Sequence, residues 1–240
     1  MLLLDVGNSR CKWALVQNGI WTHQGVVGNT EWLALQHAFA VLPLPSRIMA
    51  SNVAGEAMVQ RLRAVCAVWT CSPEFIKASA AQCGVRNGYQ QPERLGSDRW
   101  AALIAAWHHV QAATLVVNCG TATTIDALSA QGEFLGGLIV PGVSLMQHSL
   151  ATNAAQLMAE QGTVQDFPRN TADAIHSGML RATLGAVRYQ FDLLQARCGT
   201  VRCLLGGGAA GVVQPYLDLP LERVDNLVLK GLQIIGESKA

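Results

Sequence analysis

The sequence predicts an α/β protein of two halves, each with a mixed sheet flanked by helices. Short apolar runs typical of β-strands alternate with segments in which apolar residues recur every three or four positions, as they do in helices. A pattern of strand, glycine-containing loop and strand opens the chain at residues 2–17 and returns at 114–128. We therefore predict halves at 1–113 and 114–240, although the identity between them is so short that the repeat alone leaves coincidence open.

Composition limits the function classes open to this chain. Half of its 240 residues are hydrophobic, which is enough to form a large core. The net charge of +1 lacks the positive excess typical of nucleic-acid-binding proteins. Its seven cysteines form no C-x-x-C pair and no histidine cluster completes a zinc set, which predicts reduced thiols in a cytoplasmic protein. The apolar run before Asp5 is too short for a signal peptide, and no run approaches the ~18 residues of a membrane span. We expect neither a nucleic-acid partner nor membrane association.

The first half is predicted to form three strands followed by alternating helices and strands. Asn18-Gly19 is a strong hairpin signal between the second and third strands. The predicted strands are 2–6, 11–17, 20–27, 47–51 and 67–70, and the predicted helices are 30–40 and 55–65. Three strands, then helix, strand, helix and strand, is the element order of a ribonuclease-H-like half. Residues 72–95 look irregular and polar.

Two loops of the same design carry the first functional signal. Residues 5–9 (Asp-Val-Gly-Asn-Ser) and 118–122 (Asn-Cys-Gly-Thr-Ala) each follow an apolar run and precede a second strand, and Asp5 aligns with Asn118 at an offset of 113. A strand, a tight glycine turn and a second strand leave backbone N–H groups facing a concavity that suits phosphate. Two such loops with an acidic motif between them predict an ATP-dependent phosphoryl transferase.

The acidic motif is Gly96-Ser97-Asp98-Arg99. Ser97 is predicted to be the N-cap of a helix that runs to about Ala112, because the apolar residues that follow it have helical spacing. Asp98 then lies in the first turn, where the helix dipole favours an ionised carboxylate. Ionisation is what a general base needs, although a simple dipole partner would look the same in the sequence.

The second half repeats the three-stranded meander and then adds a long helix. Its predicted strands are 114–118, 123–128, 134–140 and 201–205, and its predicted helices begin after Pro141-Gly142, after Asn170-Thr171 and at Asn226. The helix at 172–194 has two adjacent apolar stripes, which fit burial of one wide face or contact with both the core and a partner subunit. Gly206–Gly208 follow the last strand and would allow backbone to approach a ribose and adenine, although such runs also make ordinary turns.

Together these motifs resemble those of type III pantothenate kinases, a family within the superfamily of acetate and sugar kinases, heat-shock chaperones and actin. The matching segments are Asp5–Lys12, Gly96–Arg99, Gly120–Asp126, Gly136–Gly142, Asn170-Thr171 and Gly206–Gly208. The resemblance implies an actin-like ATPase architecture and Mg²⁺- and ATP-dependent phosphorylation of pantothenate to 4′-phosphopantothenate, the first step of coenzyme A biosynthesis. It also implies a homodimer with substrate near the subunit interface, which favours a partner-facing role for the 172–194 helix.

The resemblance further implies roles for individual residues. Asp98 would be the general base toward the primary hydroxyl of pantothenate, and Arg99 would bind the pantothenate carboxylate or the transferred phosphoryl group. The implied ATP-binding residues are Asp5, Val6, Gly7, Asn8, Ser9, Arg10, Cys11, Lys12, Thr121 and Gly207. The implied pantothenate-binding residues are Tyr89, Gly96, Ser97, Asp98, Arg99 and Thr171. Asp5 would also organise Mg²⁺ through water.

Asn118 departs from the family pattern, because many relatives carry aspartate there as a ligand for K⁺ or NH₄⁺. An asparagine carbonyl oxygen still coordinates a hard cation but adds no charge. We therefore predict a weakened or lost dependence on monovalent cations. Two other functions stay open on the sequence: a catalytically silent regulatory protein on the same fold, and a related kinase acting on another small hydroxylated or carboxylated substrate.

Overall fold

The computed structural model describes residues 1–153 and 162–238, which form runs of strands separated by helices. The strands are β1 (Leu2–Val6), β2 (Arg10–Gln17), β3 (Ile20–Gly28), β4 (Ile48–Asn52), β5 (Pro73–Phe75), β6 (Ala81–Gln82), β7 (Val85–Asn87), β8 (Thr114–Cys119), β9 (Ala122–Leu128), β10 (Glu133–Pro141), β11 (Arg202–Gly206) and β12 (Leu221–Arg223). The helices are α1 (Trp32–Ala40), α2 (Glu56–Cys66), α3 (Ser97–Val110), α4 (Val143–Asn153), α5 (Thr171–Cys198), α6 (Ala210–Val213) and α7 (Leu227–Ser238). Within these residues, no helix combines the length and the apolar character needed to cross a membrane. The predicted α/β class is confirmed.

A five-stranded mixed sheet forms the centre of the first compact unit, in the order β3-β2-β1-β4-β5. β1 lies antiparallel to β2 and parallel to β4. Four of the five residues of β1 are buried, because the strand is apolar except for Asp5, and it shares a core with α1 and α2. Helix α3 packs against α7 and is buried along most of its length. Asp5 and the start of α3 are therefore both carried by rigid, buried elements.

The second compact unit repeats the meander and extends it, with the strand order β12-β11-β8-β9-β10. β8 is antiparallel to β9 and parallel to β11. The long helix α5 buries Leu180, Val187 and Phe191 in the core of this sheet. It begins after Asn170, whose side-chain oxygen accepts the N–H of Asp173 at 2.9 Å and so caps the helix.

The compact units differ in two places from the division predicted at residue 113. The first unit contains Met1–Gln111 together with Gly132–Phe134 and the chain from Asn226 onward. The reasons are local, since β10 begins in parallel pairing with β7 and α7 packs on α3. The assignment of one ribonuclease-H-like half to 1–113 and another to 114–240 stays a prediction.

The strand predicted at 67–70 is wrong. Helix α2 continues to Cys66, and the chain then turns, with the N–H of Trp69 donating to the Cys66 carbonyl at 3.0 Å. Val68 is exposed, so the apolar residues that suggested a strand follow the helix end without entering the sheet. The strand lies later, at Pro73–Phe75, where it pairs in parallel with β4.

The prediction that Ser97 is the N-cap of α3 is also wrong. The helix begins at Ser97 itself, and the cap position is Gly96, which offers no side-chain bond. The Ser97 hydroxyl instead shares a hydrogen bond of 2.9 Å with the Ser51 hydroxyl on β4, and both side chains are buried. A buried hydroxyl partner on the sheet therefore replaces the capping interaction.

Candidate active site

The first glycine hairpin connects β1 to β2 and exposes a short polar loop. The Gly7 N–H donates to the Arg10 carbonyl across the turn at 3.1 Å. Asn8, Ser9 and Arg10 are exposed, as a phosphate-binding loop requires. The predicted ATP-binding residues Val6 and Cys11 are, in contrast, fully buried in the core, so they have only backbone groups to offer a nucleotide.

Asp5 is a half-buried carboxylate on β1 beside this loop. In the sheet it lies opposite Lys12 on β2 and Ser51 on β4. Burial raises the pKa of Asp5 to about 7, the positive charge of Lys12 opposes that rise, and the negative charge of Asp98 adds to it. The structure thus brings both Lys12 and Asp98 within electrostatic reach of Asp5.

Asp98 occupies the first turn of α3, where it is half-buried. Its Oδ1 accepts the backbone N–H of Arg99 at 2.8 Å. Burial raises the pKa of Asp98 above its ordinary value, while the N–H and the positive charge of Arg99 lower it. Gly96 is required beside it, because a Cβ on Gly96 would lie 2.7 Å from Asp98 Oδ1 and push the carboxylate aside.

Arg99 is a buried side chain, only 5% exposed. Its Nη1 donates to the Tyr89 hydroxyl at 2.8 Å. The guanidinium also lies over the rings of Tyr89 and Phe134, 5.6 Å from each centroid, and these two rings pack against each other. The two aromatic faces and the hydrogen bond to Tyr89 therefore help to fix the plane of the guanidinium.

The second glycine hairpin connects β8 to β9, and its residues 118–122 carry no charged side chain. The Gly120 N–H donates to the Ala122 carbonyl at 3.0 Å, and Thr121 is exposed at the tip. Asn118 lies half-buried before the turn, opposite Thr124 on β9 and Gly206 on β11. The residues paired with Asn118 in this register would offer a cation hydroxyl and backbone oxygens beside the Asn118 amide.

Neighbouring backbone packs tightly on this second hairpin. The Ala209 N–H donates to the Cys119 carbonyl at 3.0 Å, and the Gly142 N–H donates to the Thr121 carbonyl at 2.9 Å. Gly207 has a φ of +94°, and a Cβ there would lie 2.6 Å from the backbone nitrogen of Cys119. The triple-glycine turn is therefore needed both for its left-handed backbone and for its close approach to the loop.

Thr171 lies on a groove of about 1130 Å³ between α4 and α5. The groove is mainly apolar, with Leu145, Met146 and Ile175 in its walls. Thr171 belongs to its polar lining together with Asn170. The predicted pantothenate contact at Thr171 is thus on a concave surface of the second unit.

Three residues at these sites escaped the sequence analysis. Ser51 is a single serine in a buried apolar strand, and that contrast is its one signal in the sequence. Asn29 lies in a Gly-Asn-Thr segment that looks like an ordinary turn, and Phe134 looks like any core aromatic residue.

In the described part of the chain, no three His, Cys, Asp or Glu side chains are grouped as metal ligands.

Comparisons with known proteins point to one family. A family model described as Type III pantothenate kinase matches residues 1–192. A type III pantothenate kinase from Aromatoleum aromaticum is 45% identical over 240 residues, which cover 100% of this chain and 99% of that protein. One from Nitrosospira multiformis is 45% identical over 237 residues, which cover 98% of this chain and 90% of that protein.

Solved structures show the same fold at low sequence identity. A protein described as a Baf family transcriptional activator from Campylobacter jejuni matches with a TM-score of 0.65 and 21% identity, covering 100% of this chain and 99% of that one. A protein described as a 2-dehydro-3-deoxygalactonokinase from Sinorhizobium meliloti matches with a TM-score of 0.63 and 12% identity, covering 99% and 98%. These likenesses concern the fold alone, and they confirm the predicted architecture of sugar kinases and actin-like ATPases.

Proposed function

Because the chain belongs to the type III pantothenate kinase family, we propose that it transfers the γ-phosphoryl group of ATP to the primary hydroxyl of pantothenate. The product is 4′-phosphopantothenate, and the reaction is the first step of coenzyme A biosynthesis. The observation that carries the proposal is the cluster at the start of α3, where half-buried Asp98 lies beside an Arg99 guanidinium held by Tyr89. This cluster supplies an acid–base group and an anion-binding group side by side.

Asp98 acts as the general base. It accepts the hydroxyl proton of pantothenate while the hydroxyl oxygen bonds to the γ-phosphorus, and the bond from that phosphorus to the bridging oxygen of ADP breaks. Burial raises the pKa of Asp98, which makes it a stronger base than an exposed aspartate. The Arg99 N–H and charge limit that rise and so favour the ionised form that the step needs.

Arg99 binds the pantothenate carboxylate or the transferred phosphoryl group. A guanidinium whose plane is fixed presents its donors as a fork that matches two oxygens of an anion. Tyr89 both holds Arg99 and contributes to the pantothenate site, while Gly96 and Ser97 keep Asp98 in place. Thr171 contributes a hydroxyl to the same substrate.

Asp5 is the residue that would hold Mg²⁺, through water. The residue fits this role because its carboxylate is half-buried and close to a second acid, and the negative charge there favours a divalent cation. Bound Mg²⁺ supplies neutralisation of the phosphate charge. Lys12 lies opposite Asp5 and meets the phosphates directly, together with the exposed loop residues Asn8 and Ser9.

The second hairpin holds the rest of the nucleotide with neutral groups. Thr121 is exposed at its tip, and Gly207 brings backbone close to it. Asn118 provides no charge for K⁺ or NH₄⁺, so we expect activation by monovalent cations to be weak or absent.

A homodimer accompanies this function, formed through the apolar surfaces of α4 and α5. Leu145 on α4 is 42% exposed, and on α5 Tyr189 is 66% and Leu193 48% exposed, which leaves large side chains available for a protein–protein contact. Gly178 lines the groove and has open space around its Cβ position, so Gly178→Arg fits the single chain but blocks a facing partner. In sedimentation equilibrium we expect Gly178→Arg to be monomeric and Ala196→Arg, at an exposed position near the end of the same helix, to remain dimeric. A dimeric Gly178→Arg variant would contradict this interface.

A cytoplasmic location is part of the same proposal. All seven cysteines are free thiols in the structure, including pairs only five residues apart in sequence. Proteins of the reducing cytoplasm typically keep their cysteines in this state.

The test of the function is release of ADP from Mg·ATP by purified protein, with and without pantothenate. Small sugars and short hydroxy acids are the control substrates, and mass spectrometry identifies the product. We expect turnover that depends on pantothenate and yields 4′-phosphopantothenate. Turnover with another substrate would instead indicate a related kinase. ATP binding without any turnover would indicate a catalytically silent regulatory protein.

A further inference from the structure

Asn29 makes two hydrogen bonds to the first phosphate loop. It follows β3, outside the loop itself, and its backbone N–H donates to the Ser9 carbonyl at 3.0 Å. Its side-chain Nδ2 donates to the Gly7 carbonyl at 2.7 Å. Asn29 therefore holds the loop by hydrogen bonds to Gly7 and Ser9, on either side of exposed Asn8.

The bond to Gly7 determines where a loop donor points. In a trans peptide the C=O and the following N–H point in opposite directions. Because the Gly7 carbonyl is directed at Asn29, the N–H of Asn8 is directed away from Asn29. Asn29 thus orients a backbone donor of the kind that phosphate-binding loops use.

One atom of the Asn29 side chain lowers the stability of the folded protein. Its Oδ1 is buried and has no hydrogen-bond partner among the residues that the structure describes. A buried carbonyl without a partner destabilises the fold by roughly as much as one good hydrogen bond stabilises it. The side chain therefore makes little net contribution to folding, which argues that its value lies in the geometry of the loop.

The second hairpin is held by neighbouring backbone, without a counterpart of the Asn29 side-chain bond. Gly142 occupies the position there that Asn29 occupies in the first hairpin, and its N–H donates to Thr121 at 2.9 Å. It has no side chain to make the second bond. The amide of Asn29 is thus an addition to the shared design, and it is found at the loop that lies beside Asp5 and Lys12.

We infer that Asn29 is a positioning residue that pre-organises the first loop for the β- and γ-phosphates of ATP. The inference rests on the proposed function in one respect, that this loop binds the phosphates of ATP. It goes beyond that function by assigning a role to a residue outside the loop. The role is specific to phosphates, so a ligand that lacks them is unaffected by the loss of the side chain.

Calorimetric binding of Mg·ATP and of adenosine tests this role. Asn29→Ala removes the amide, and Asn29→Asp keeps its shape but replaces the Nδ2 donor with an acceptor facing the Gly7 carbonyl. We expect both variants to bind Mg·ATP about tenfold more weakly, the value of one lost hydrogen bond. Adenosine affinity should stay within about twofold, and the Tm of Asn29→Ala within about 2 °C of the parent.

Trp32→Phe is the matched control. It removes the indole N–H that donates to the Asn29 carbonyl at 2.5 Å, in the same segment but away from the loop. We expect its Mg·ATP affinity to be unchanged. In the ADP-release assay Asn29→Ala should raise KM for ATP about tenfold and leave KM for pantothenate unchanged.

Other results would overturn the inference in distinguishable ways. Equal loss of Mg·ATP and adenosine affinity, or a large fall in Tm with Asn29→Ala, would make Asn29 a structural residue. Unchanged Mg·ATP binding in both variants would refute the role while the kinase function stands. A parent protein that binds no Mg·ATP would refute the proposed function and this role together.

Discussion

The two glycine hairpins share one backbone design, and each is closed by the same bond. The Gly7 N–H donates to Arg10 in the first, and the Gly120 N–H donates to Ala122 in the second. In each, the residue directly after the third strand of the meander donates its N–H to the loop tip. These matched bonds support the internal duplication that the short sequence identity left open.

The side chains built on this backbone differ. The position before the turn is Asp5 facing Lys12 in the first hairpin, and Asn118 facing Thr124 in the second. At these paired positions the first hairpin therefore carries a carboxylate and an ammonium group, and the second carries two neutral side chains. The duplicated backbone supports two specialised loops, of which the first has the charges that phosphoryl transfer needs.

The loops also differ in length and in what holds them. Val6 pairs with Cys11 in the first hairpin, whereas Cys119 pairs with Thr123 in the second, so the second loop is one residue shorter. The longer first loop is held by a hydrogen bond from the Asn29 side chain. The shorter second loop is held by backbone hydrogen bonds from Gly142 and Ala209. The geometry of the first loop should therefore depend on the side chains that hold it. The geometry of the second loop should depend on the glycines beside it, where an added Cβ would displace the backbone.

Among the substitutions in and beside the two hairpins, Gly207→Ala should have the largest effect. The new Cβ would meet the Cys119 backbone and the φ of +94° would be strained, so the second loop must move. We expect kcat/KM for ATP to fall about 100-fold, as a displacement of roughly 1 Å in a positioning group does. We also expect a loss of about 2 kcal/mol in the free energy of unfolding.

Gly199→Ala separates strain from steric overlap. Gly199 has a φ of +78°, but no atom lies within 4 Å of its Cβ position. Chemical denaturation should show a similar strain cost for Gly199→Ala, with kcat/KM for ATP unchanged. Equal catalytic losses in the two variants would contradict the assignment of Gly207 to the nucleotide loop.

Asp5→Asn should come next, since it gives the first hairpin the same neutral amide that Asn118 provides in the second. We expect turnover with Mg·ATP to fall on the order of 100-fold, because the group that organises Mg²⁺ loses its charge. A titration of activity against Mg²⁺ measures this change. A variant that keeps the parent's Mg²⁺ dependence would remove Asp5 from that role.

The same substitution should change how stability depends on pH in metal-free protein. The pKa of Asp5 is raised to about 7 in the folded chain, so between about pH 4 and pH 7 the folded state holds a proton that the unfolded state has lost. Stability from this group therefore falls as pH rises through that window. Asp5→Asn should match the parent near pH 4 and exceed its Tm by roughly 10 °C at pH 8. A Tm difference that does not change with pH would contradict the raised pKa.

Asn118→Asp should have the smallest effect. It gives the second hairpin the carboxylate that Asp5 provides in the first. A carboxylate at this position restores a charged ligand for a monovalent cation. We expect activity that rises a few-fold with K⁺ in the variant, and little or no response to K⁺ in the parent. Strong activation of the parent by K⁺ would show that neutral oxygens suffice there.

The parts of the fold that the sequence predicted are those set by local pattern. The meander strands and the helix carrying Asp98 follow from apolar periodicity and from turns such as Asn18-Gly19. The error at 67–70 arose because apolar residues that follow a helix end have the same composition as a short strand. Local pattern does not distinguish the two when the deciding contact is with a distant strand.

The candidate site divides in a similar way. Residues inside compact motifs, such as Asp5 and Asp98, could be predicted because their chemistry and spacing are visible in the chain. Asn29, Ser51 and Phe134 could not be, since each acts through a contact with a residue distant in sequence. Burial of Asp98, which raises its pKa against the helix dipole, likewise depends on packing that the sequence does not display.

The most direct test of the claim that the first unit carries the chemistry is single-turnover phosphoryl transfer by Asp98→Asn beside the parent protein. The substitution keeps the size of the side chain and removes its ability to accept a proton. We predict a rate about 1,000-fold lower, within the range for loss of a general base, with Mg·ATP affinity changed less than about threefold. A rate equal to that of the parent would exclude Asp98 as the base and contradict the account.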